Sequence, residues 1–315
     1  MQKIIYLIVL FLVIGVLIRN IPLAIVLCIA TFAGIFVYRH IKAKEEAEMA
    51  YHLRKIANEA EQREREEKAR LAAQVSAEAR RREDELKKAK EASKKKLAEA
   101  DEKFNAMLSA LPKHEIHIDN DSVRRSKKEC EKHDVSITNV TARTNIERLS
   151  DFVAFDVETT GLHGTHDEII QLTAIRFQEW EPVEIFSTFV NPKKAIPEEA
   201  SRVNNITDDM VASAPPIEAV IKDFDNFIGK SNLLGHNRLF DLKFLDYAGS
   251  EYYQTKRKYY DTLELARLLD LSVINNKLST LCEHFYIMDG KSAHRSDADA
   301  LACGLLFKRL VDLKV

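Results

Sequence analysis

Between Gly34 and Pro112 the chain contains neither glycine nor proline. Residues 42–111 carry 18 basic and 16 acidic side chains interleaved with alanine. With no breaker, strong helix formers and opposite charges in alternation, this stretch reads as one long helix. At 1.5 Å per residue it extends about 100 Å. Leu53, Ile56, Leu71, Val75, Leu86 and Leu97 are too sparse for a sustained heptad seam. The reading is a single charged helix or a weak coiled coil, a stalk over residues 41–111, with self-association through it as a further expectation.

Ahead of the stalk lie two apolar runs, Ile4–Ile18 and Ile21–Tyr38, of 15 and 18 residues, broken by Arg19-Asn20. A bilayer core takes about 20 helical residues, with ~17 near the lower limit. Residues 1–40 therefore read as a membrane anchor, with a helical hairpin turned at Arg19-Asn20-Ile21-Pro22 preferred over a single span. A cleaved signal peptide is disfavoured by the lack of an Ala-x-Ala site and by the second apolar run. A lipid-modified Cys28 is disfavoured by the bulk of Leu27 before it. Lys3 before the first run and Arg39, Lys42 and Lys44 after the second put both ends in the cytoplasm by the positive-inside rule. The expected location is the cytoplasmic (inner) membrane, with the remainder of the chain facing the cytoplasm.

Residues 112–149 form a polar connector holding His114-x-x-His117 and Cys130-x-x-His133. The spacing is compatible with a small zinc site, although three histidines with one cysteine is an unusual ligand set. Zinc is left open. Cys28, Cys130, Cys282 and Cys303 are scattered and outline no disulfide framework, in keeping with a reducing compartment.

The chemistry-bearing stretch comes next. In Asp151-Phe152-Val153-Ala154-Phe155-Asp156-Val157-Glu158 two carboxylates interrupt an apolar run. The run reads as a buried strand, and alternate residues of a strand face the same way. Asp156 and Glu158 therefore project together, which is costly in a buried setting unless a cation lies between them. Two surface acids on an edge strand are the bland alternative, and the core-type neighbours speak against it. Further acids follow at Asp241, in Gly235-His236-Asn237-Arg238-Leu239-Phe240-Asp241, and at Asp297 and Asp299, after His294. Taken singly, Asp241 suits a helix N-terminus capped by Asn237, and Ser296 with Asp299 fits a capping box.

Asp156-Val157-Glu158-Thr159-Thr160-Gly161-Leu162, Gly235-His236-Asn237 with Phe240-Asp241, and His294 with Asp299 appear in order. Together they resemble the DEDDh family of 3′→5′ exonucleases, over roughly residues 150–315. Asn191-Pro192, Ile196-Pro197 and Ile206-Thr207 also look like the family, while Asn204-Asn205 stand where many members have His-Gly. The resemblance implies an α/β fold, a ribonuclease-H-like mixed sheet flanked by helices. It implies metal ligation by Asp156, Glu158, Asp241 and Asp299, with Asp156 bridging two ions, Mg²⁺ or Mn²⁺, and hydrolysis of phosphodiester bonds by a two-metal mechanism. His294 takes the role of general base, suited to an imidazole. Asp297 is set aside as a solvated helix-start acid. Thr159 and Thr160 offer donors to the terminal nucleotide, Leu162 and Phe240 stack or wedge against its base, and His236 and Asn237 complete the substrate-binding set. For Phe240 a place in the core of the following helix weighs equally.

From residue 151 onward 18 Lys and Arg face 26 Asp and Glu, a net of −8. An acidic domain attracts a polyanion poorly at long range. Binding of a nucleic acid with a free 3′ end, DNA or RNA, is then expected to rest on metals and on local bases such as Lys193-Lys194, Arg238, Lys256-Arg257-Lys258 and Arg295. Short engagement of a single-stranded end suits this balance better than wrapping of duplex. The chain ends soon after its last helical segment, which favours a freestanding nuclease. The alternative from another class is a membrane scaffold whose exonuclease-like domain binds nucleic acid or protein without catalysis. The expected elements of residues 150–315 are strands near 152–157, 168–177, 183–190, 232–235 and 258–261, and helices near 216–229, 239–248, 263–270, 277–285 and 297–312.

Overall fold

The computed structural model describes residues 22–121, 149–289 and 295–314, together with Tyr6, Val9, Leu10, Val13 and Ile14. The turn expected at Arg19-Asn20-Ile21, most of the first apolar run, Cys130, His133 and His294 lie outside the described residues. The chain divides into two compact units, residues 1–88 and 89–315.

Helix α1 (Leu23–Ala110) begins in the first unit directly after Pro22, carries the second apolar run and the charged segment, and ends in the second unit. Its apolar N-terminal part is long and apolar enough to cross a membrane and is almost wholly exposed. The charged part is laced by Glu61–Arg65, Glu64–Lys68 and Glu78–Arg82 at i,i+4, at 2.5, 2.5 and 2.6 Å. Such exposed pairs contribute about 0.3–0.5 kcal/mol each, so helix propensity, rather than packing, sustains this segment.

The second unit is a five-stranded sheet of order β3-β2-β1-β4-β5. β1 (Phe152–Thr159), β2 (Ile169–Gln178) and β3 (Glu181–Phe189) form an antiparallel meander. β4 (Leu233–Gly235) lies parallel to β1, and β5 (Tyr259–Asp261) parallel to β4. The helices are α2 (Glu198–Asn204), α3 (Asp208–Val211), α4 (Ile217–Ile228), α5 (Leu239–Ala248), α6 (Thr262–Leu269), α7 (Leu278–His284) and α8 (Ser296–Lys314). This is the ribonuclease-H-like mixed sheet flanked by helices that the resemblance implies. The short α2 and α3 are additions to the sequence reading; their few residues carry no helical period long enough to detect.

β1 is the central strand and is packed on both faces, which explains its near-continuous apolar run. Phe152 and Ala154 join a core with Leu301, Leu306 and Phe307 of α8. Val153, Phe155 and Val157 face a second core with Val220 and Phe224 of α4 and Leu242 and Leu245 of α5. The period of two therefore sends Asp156 and Glu158 to the α8 face.

The last turns of α1 belong to this unit. Phe104 is only 2% exposed and sits in the α8-face core with Leu111, while Met107 and Leu108 pack against it. The C-terminal end of the helix expected as a stalk over residues 41–111 therefore packs on the sheet domain. A few apolar residues at the end of a charged helix do not announce a tertiary contact. After α1 the connector stays on the sheet: the Ile185 N–H donates to the Pro112 carbonyl at 2.9 Å and the His114 N–H to the Ile185 carbonyl at 2.7 Å.

Candidate active site

Asp156 and Glu158 end β1 on the face covered by the first turn of α8. One carboxylate oxygen from each of Asp156, Glu158 and Asp299 lies within 4.8 Å of the others. The turn carrying Asp299 is fixed by Ser296, which is fully buried. The Ser296 hydroxyl bonds the Thr173 hydroxyl of β2 at 2.6 Å, and the Ser296 N–H donates to Gln171 Oε1 at 3.4 Å. The capping-box alternative fails, because the Asp299 N–H donates to the Arg295 carbonyl at 2.9 Å and the Ser296 hydroxyl is spent on the sheet. Asp297 is not a solvated acid either: its side chain is 15% exposed and is paired with Arg295 at 2.7 Å.

Asp241 comes from the opposite side of the sheet, on the first turn of α5. The loop before it is tight. A Cβ on Gly235 would stand 2.8 Å from Arg238 Cβ, and Asn237 adopts φ 63°, a left-handed conformation that asparagine tolerates. The buried Asp261 carboxylate anchors this loop by accepting the N–H groups of Asn237, Arg238 and Leu263 at 3.0, 3.1 and 2.9 Å. Asn237 is thus not the helix cap. Asp241 is itself buried, and its Oδ1 accepts the Val157 N–H at 3.2 Å, between the two β1 acids.

The electrostatics record how costly this assembly is. Burial, reinforced by Asp241, Asp299, Glu158 and Asp297, holds the Asp156 carboxyl well above the usual range. Burial and then Asp299 and Asp241 push Glu158 up to about 8, opposed by a hydrogen bond from Asn204. Burial also pushes Asp241 up to about 8, against the Val157 N–H. Like charges held this way take up either protons or a cation, and clustered carboxylate oxygens are the donors that hard divalent ions prefer. The residues present fit a divalent metal.

Residues 153–307 match the family model described as exonuclease (RNase_T). They form an exonuclease domain of the DEDD family. The same region is similar to the PolC-type DNA polymerase III of Oceanobacillus iheyensis, 41% identical over 162 residues, and to that of Bacillus subtilis, 39% identical over 165. Each match covers 51% of this chain and 11% of the relative, so the chain spans about a tenth of the curated relatives it matches. Among solved structures it is similar to Escherichia coli exonuclease I in complex with a dA16 oligonucleotide, at 21% identity and a TM-score of 0.44, covering 52% of this chain and 42% of that one.

In the exonuclease domain a cavity of about 620 Å³ opens at the carboxylates, lined by Asp156, Asp299, His236, Asn237, Arg267 and Lys277 among others. The structure thus brings the predicted His236 and Asn237 to the site. His236 Nδ1 bonds the Thr262 hydroxyl at 2.8 Å, and burial lowers its proton affinity. Of the donors expected at Thr159 and Thr160, both hydroxyls and the Thr160 N–H are engaged internally. The Thr159 hydroxyl donates to the Gly161 carbonyl at 2.6 Å, and the Thr160 N–H to the Glu168 carbonyl at 2.9 Å. They shape the turn at Gly161, where a Cβ would stand 2.4 Å from the Asp167 carboxylate. Leu162 is exposed, and Phe240 is partly buried with its ring 5.0 Å from that of Phe244.

The local bases also differ. Arg238 is buried and lies 3.7 Å from Asp261, Arg257 donates to the carbonyls of Gly229 and Ser231, and Lys193 pairs with Glu218 at 2.6 Å. Arg238 and Arg257 are committed to the fold, whereas the Lys193 side chain stays 58% exposed. Arg267 and Lys277 at the cavity were missed, because neither lies within a motif.

Asn204 stands in the sequence only as a departure from the family, yet it is buried, donates to the Thr159 carbonyl at 3.4 Å and favours the Glu158 carboxylate. Its neighbour Asn205 takes φ 59° at the end of α2, the conformation that a glycine there accommodates without strain.

Proposed function

We propose that this chain is a membrane-anchored, divalent-metal-dependent 3′→5′ exonuclease acting on single-stranded nucleic-acid ends. The observation carrying the reading is the meeting of carboxylate oxygens of Asp156, Glu158 and Asp299 within 4.8 Å of one another, with Asp241 hydrogen-bonded between the first two. In this reading Asp156, Glu158, Asp241 and Asp299 hold two ions, Mg²⁺ or Mn²⁺. When bound, these supply charge stabilisation at the phosphate and acidify the attacking water. The chain's own part is to present four carboxylates from three elements, three of them half-buried and Asp241 buried, and to offer Arg267, Lys277, His236 and Asn237 along the cavity for the terminal nucleotide. His294 is the proposed proton acceptor on the strength of its place five residues before Asp299 in the motif. The similarity to PolC-type polymerases favours DNA as the substrate.

The apolar start of α1 is the proposed anchor. Arg39, Lys42 and Lys44 directly after it support a cytoplasmic domain by the positive-inside rule. A cysteine placed at Asn20 that labels from outside, with a cytoplasmic C-terminal reporter, is the outcome expected of a hairpin. A single span instead labels at residue 3.

The activity is tested with end-labelled single-stranded DNA, RNA and mismatched duplex, with Mg²⁺ or EDTA, using the full chain and its D156N variant. Stepwise shortening from the 3′ end that needs Mg²⁺ and Asp156 is expected. Binding without shortening on all three substrates would leave the scaffold reading instead.

A further inference from the structure

A second cluster of metal-ligating groups stands apart from the four carboxylates, at the edge of the sheet where the connector leaves α1. His114 and His117 follow α1, and Asp223 comes from α4. One donor atom from each lies within 4.8 Å of the others. His114 Nε2 is 3.6 Å from Asp223 Oδ2, and His117 Nδ1 is 3.7 Å from Asp223 Oδ1. These separations exceed a hydrogen bond. They approach the about 3.3 Å between neighbouring ligands of a tetrahedral ion with bonds of about 2.0–2.1 Å.

The surroundings prepare the ligands. His114 Nδ1 lies 3.0 Å from Glu184 Oε1, a carboxylate–imidazole contact that fixes the tautomer and leaves Nε2 with its lone pair. That Nε2 is buried and has no hydrogen-bond partner. The ring is held between Phe186 and Phe227, at 5.9 and 5.1 Å. Asp223 is oriented by the His117 N–H, which donates to Oδ2 at 2.8 Å, and its side chain is only 8% exposed. A lone pair facing a buried carboxylate with no hydrogen bond between them is the arrangement a cation satisfies.

We propose that His114, His117 and Asp223 form a zinc site with one open position, positioned by Glu184. Two imidazoles and a carboxylate suit zinc better than magnesium or calcium. The ion ties the start of the connector to α4, more than a hundred residues away in sequence. It therefore fixes the segment where α1 joins the exonuclease domain. The site sequence reading marked as open thus keeps its two histidines and gains an aspartate. This inference does not depend on the nuclease reading.

The test uses the full chain in detergent with Asp156→Asn and Glu158→Gln, so that the carboxylate site is weakened. It is titrated with Co²⁺ and with Zn²⁺. One equivalent of Co²⁺ giving the intense visible bands of a four-coordinate centre and displaced by Zn²⁺ is expected. Zinc at a hundredfold excess over its Kd is expected to raise Tm by about 5–10 °C. His117→Gln, at a mostly exposed residue, is expected to keep the metal-free Tm and lose the bound equivalent. Glu184→Gln is expected to weaken binding about 10–100-fold. Absence of a bound equivalent, or binding unchanged by His117→Gln and Asp223→Asn, overturns the proposal and leaves His114 as a polar bridge between Glu184 and Asp223.

Discussion

Asp241, from a helix packed on one face of the sheet, accepts the backbone N–H of Val157, which lies between the two acids that face the other way. A single hydrogen bond of 3.2 Å thus ties a carboxylate from one side of β1 to the backbone between the two acids of the other. Asp241→Asn keeps an acceptor for that N–H and removes a charge that burial disfavours. The variant is expected to be at least as stable as the parent without metal, and to lose about 10²-fold or more in exonuclease rate. Thermal melts in EDTA and single-turnover digestion check the two halves separately.

The pH dependence follows from the same burial. Glu158 and Asp241 titrate near 8 in the metal-free protein, against about 4 when unfolded. Between those values the folded state holds more protons than the unfolded one. Metal-free stability is therefore full below about pH 4 as far as these groups are concerned, and falls as pH rises towards about 8. With Mg²⁺ bound, carboxylate ionisation is satisfied and the decline is expected to flatten. Melts from pH 5 to 8.5 in EDTA and in Mg²⁺ measure both slopes; parallel slopes would contradict the burial argument.

Asn204→Ala removes the amide that favours the Glu158 carboxylate, along with its bond to the Thr159 carbonyl, and leaves the Ile206 N–H without its side-chain acceptor. A positioning role predicts metal affinity weakened about 10–100-fold, with activity recovered at high Mg²⁺. A purely structural role would lower Tm and leave the Mg²⁺ dependence of the rate unchanged.

Phe104 is 2% exposed in the α8-face core. Phe104→Ala is expected to destabilise the exonuclease domain by about 3–5 kcal/mol. A fragment beginning at Pro112 loses this anchor, whereas one beginning at Ala89 keeps it. The longer fragment is expected to melt at a clearly higher temperature, which scanning calorimetry reads directly.

Much of this protein is legible along the chain because its signals are local. Lack of glycine and proline from Ile35 to Leu111 dictates a helix wherever the segment sits, and α1 extends to Ala110. The period of two puts Asp156 and Glu158 on one face once the strand is assigned, and β1 runs from Phe152 to Thr159. What the sequence leaves open depends on contacts between distant segments. Asp299 is separated from a capping role because its N–H goes to the Arg295 carbonyl and Ser296 is drawn onto Thr173 across the sheet. Arg238 looks like a free base until Asp261 is placed beside it. Asn204 gains its meaning from Glu158, and Phe104 from a core that β1, β2 and α8 build together. Short-range hydrogen-bonding and periodicity constrain a chain residue by residue, whereas burial and charge pairing exist only after folding brings its segments together.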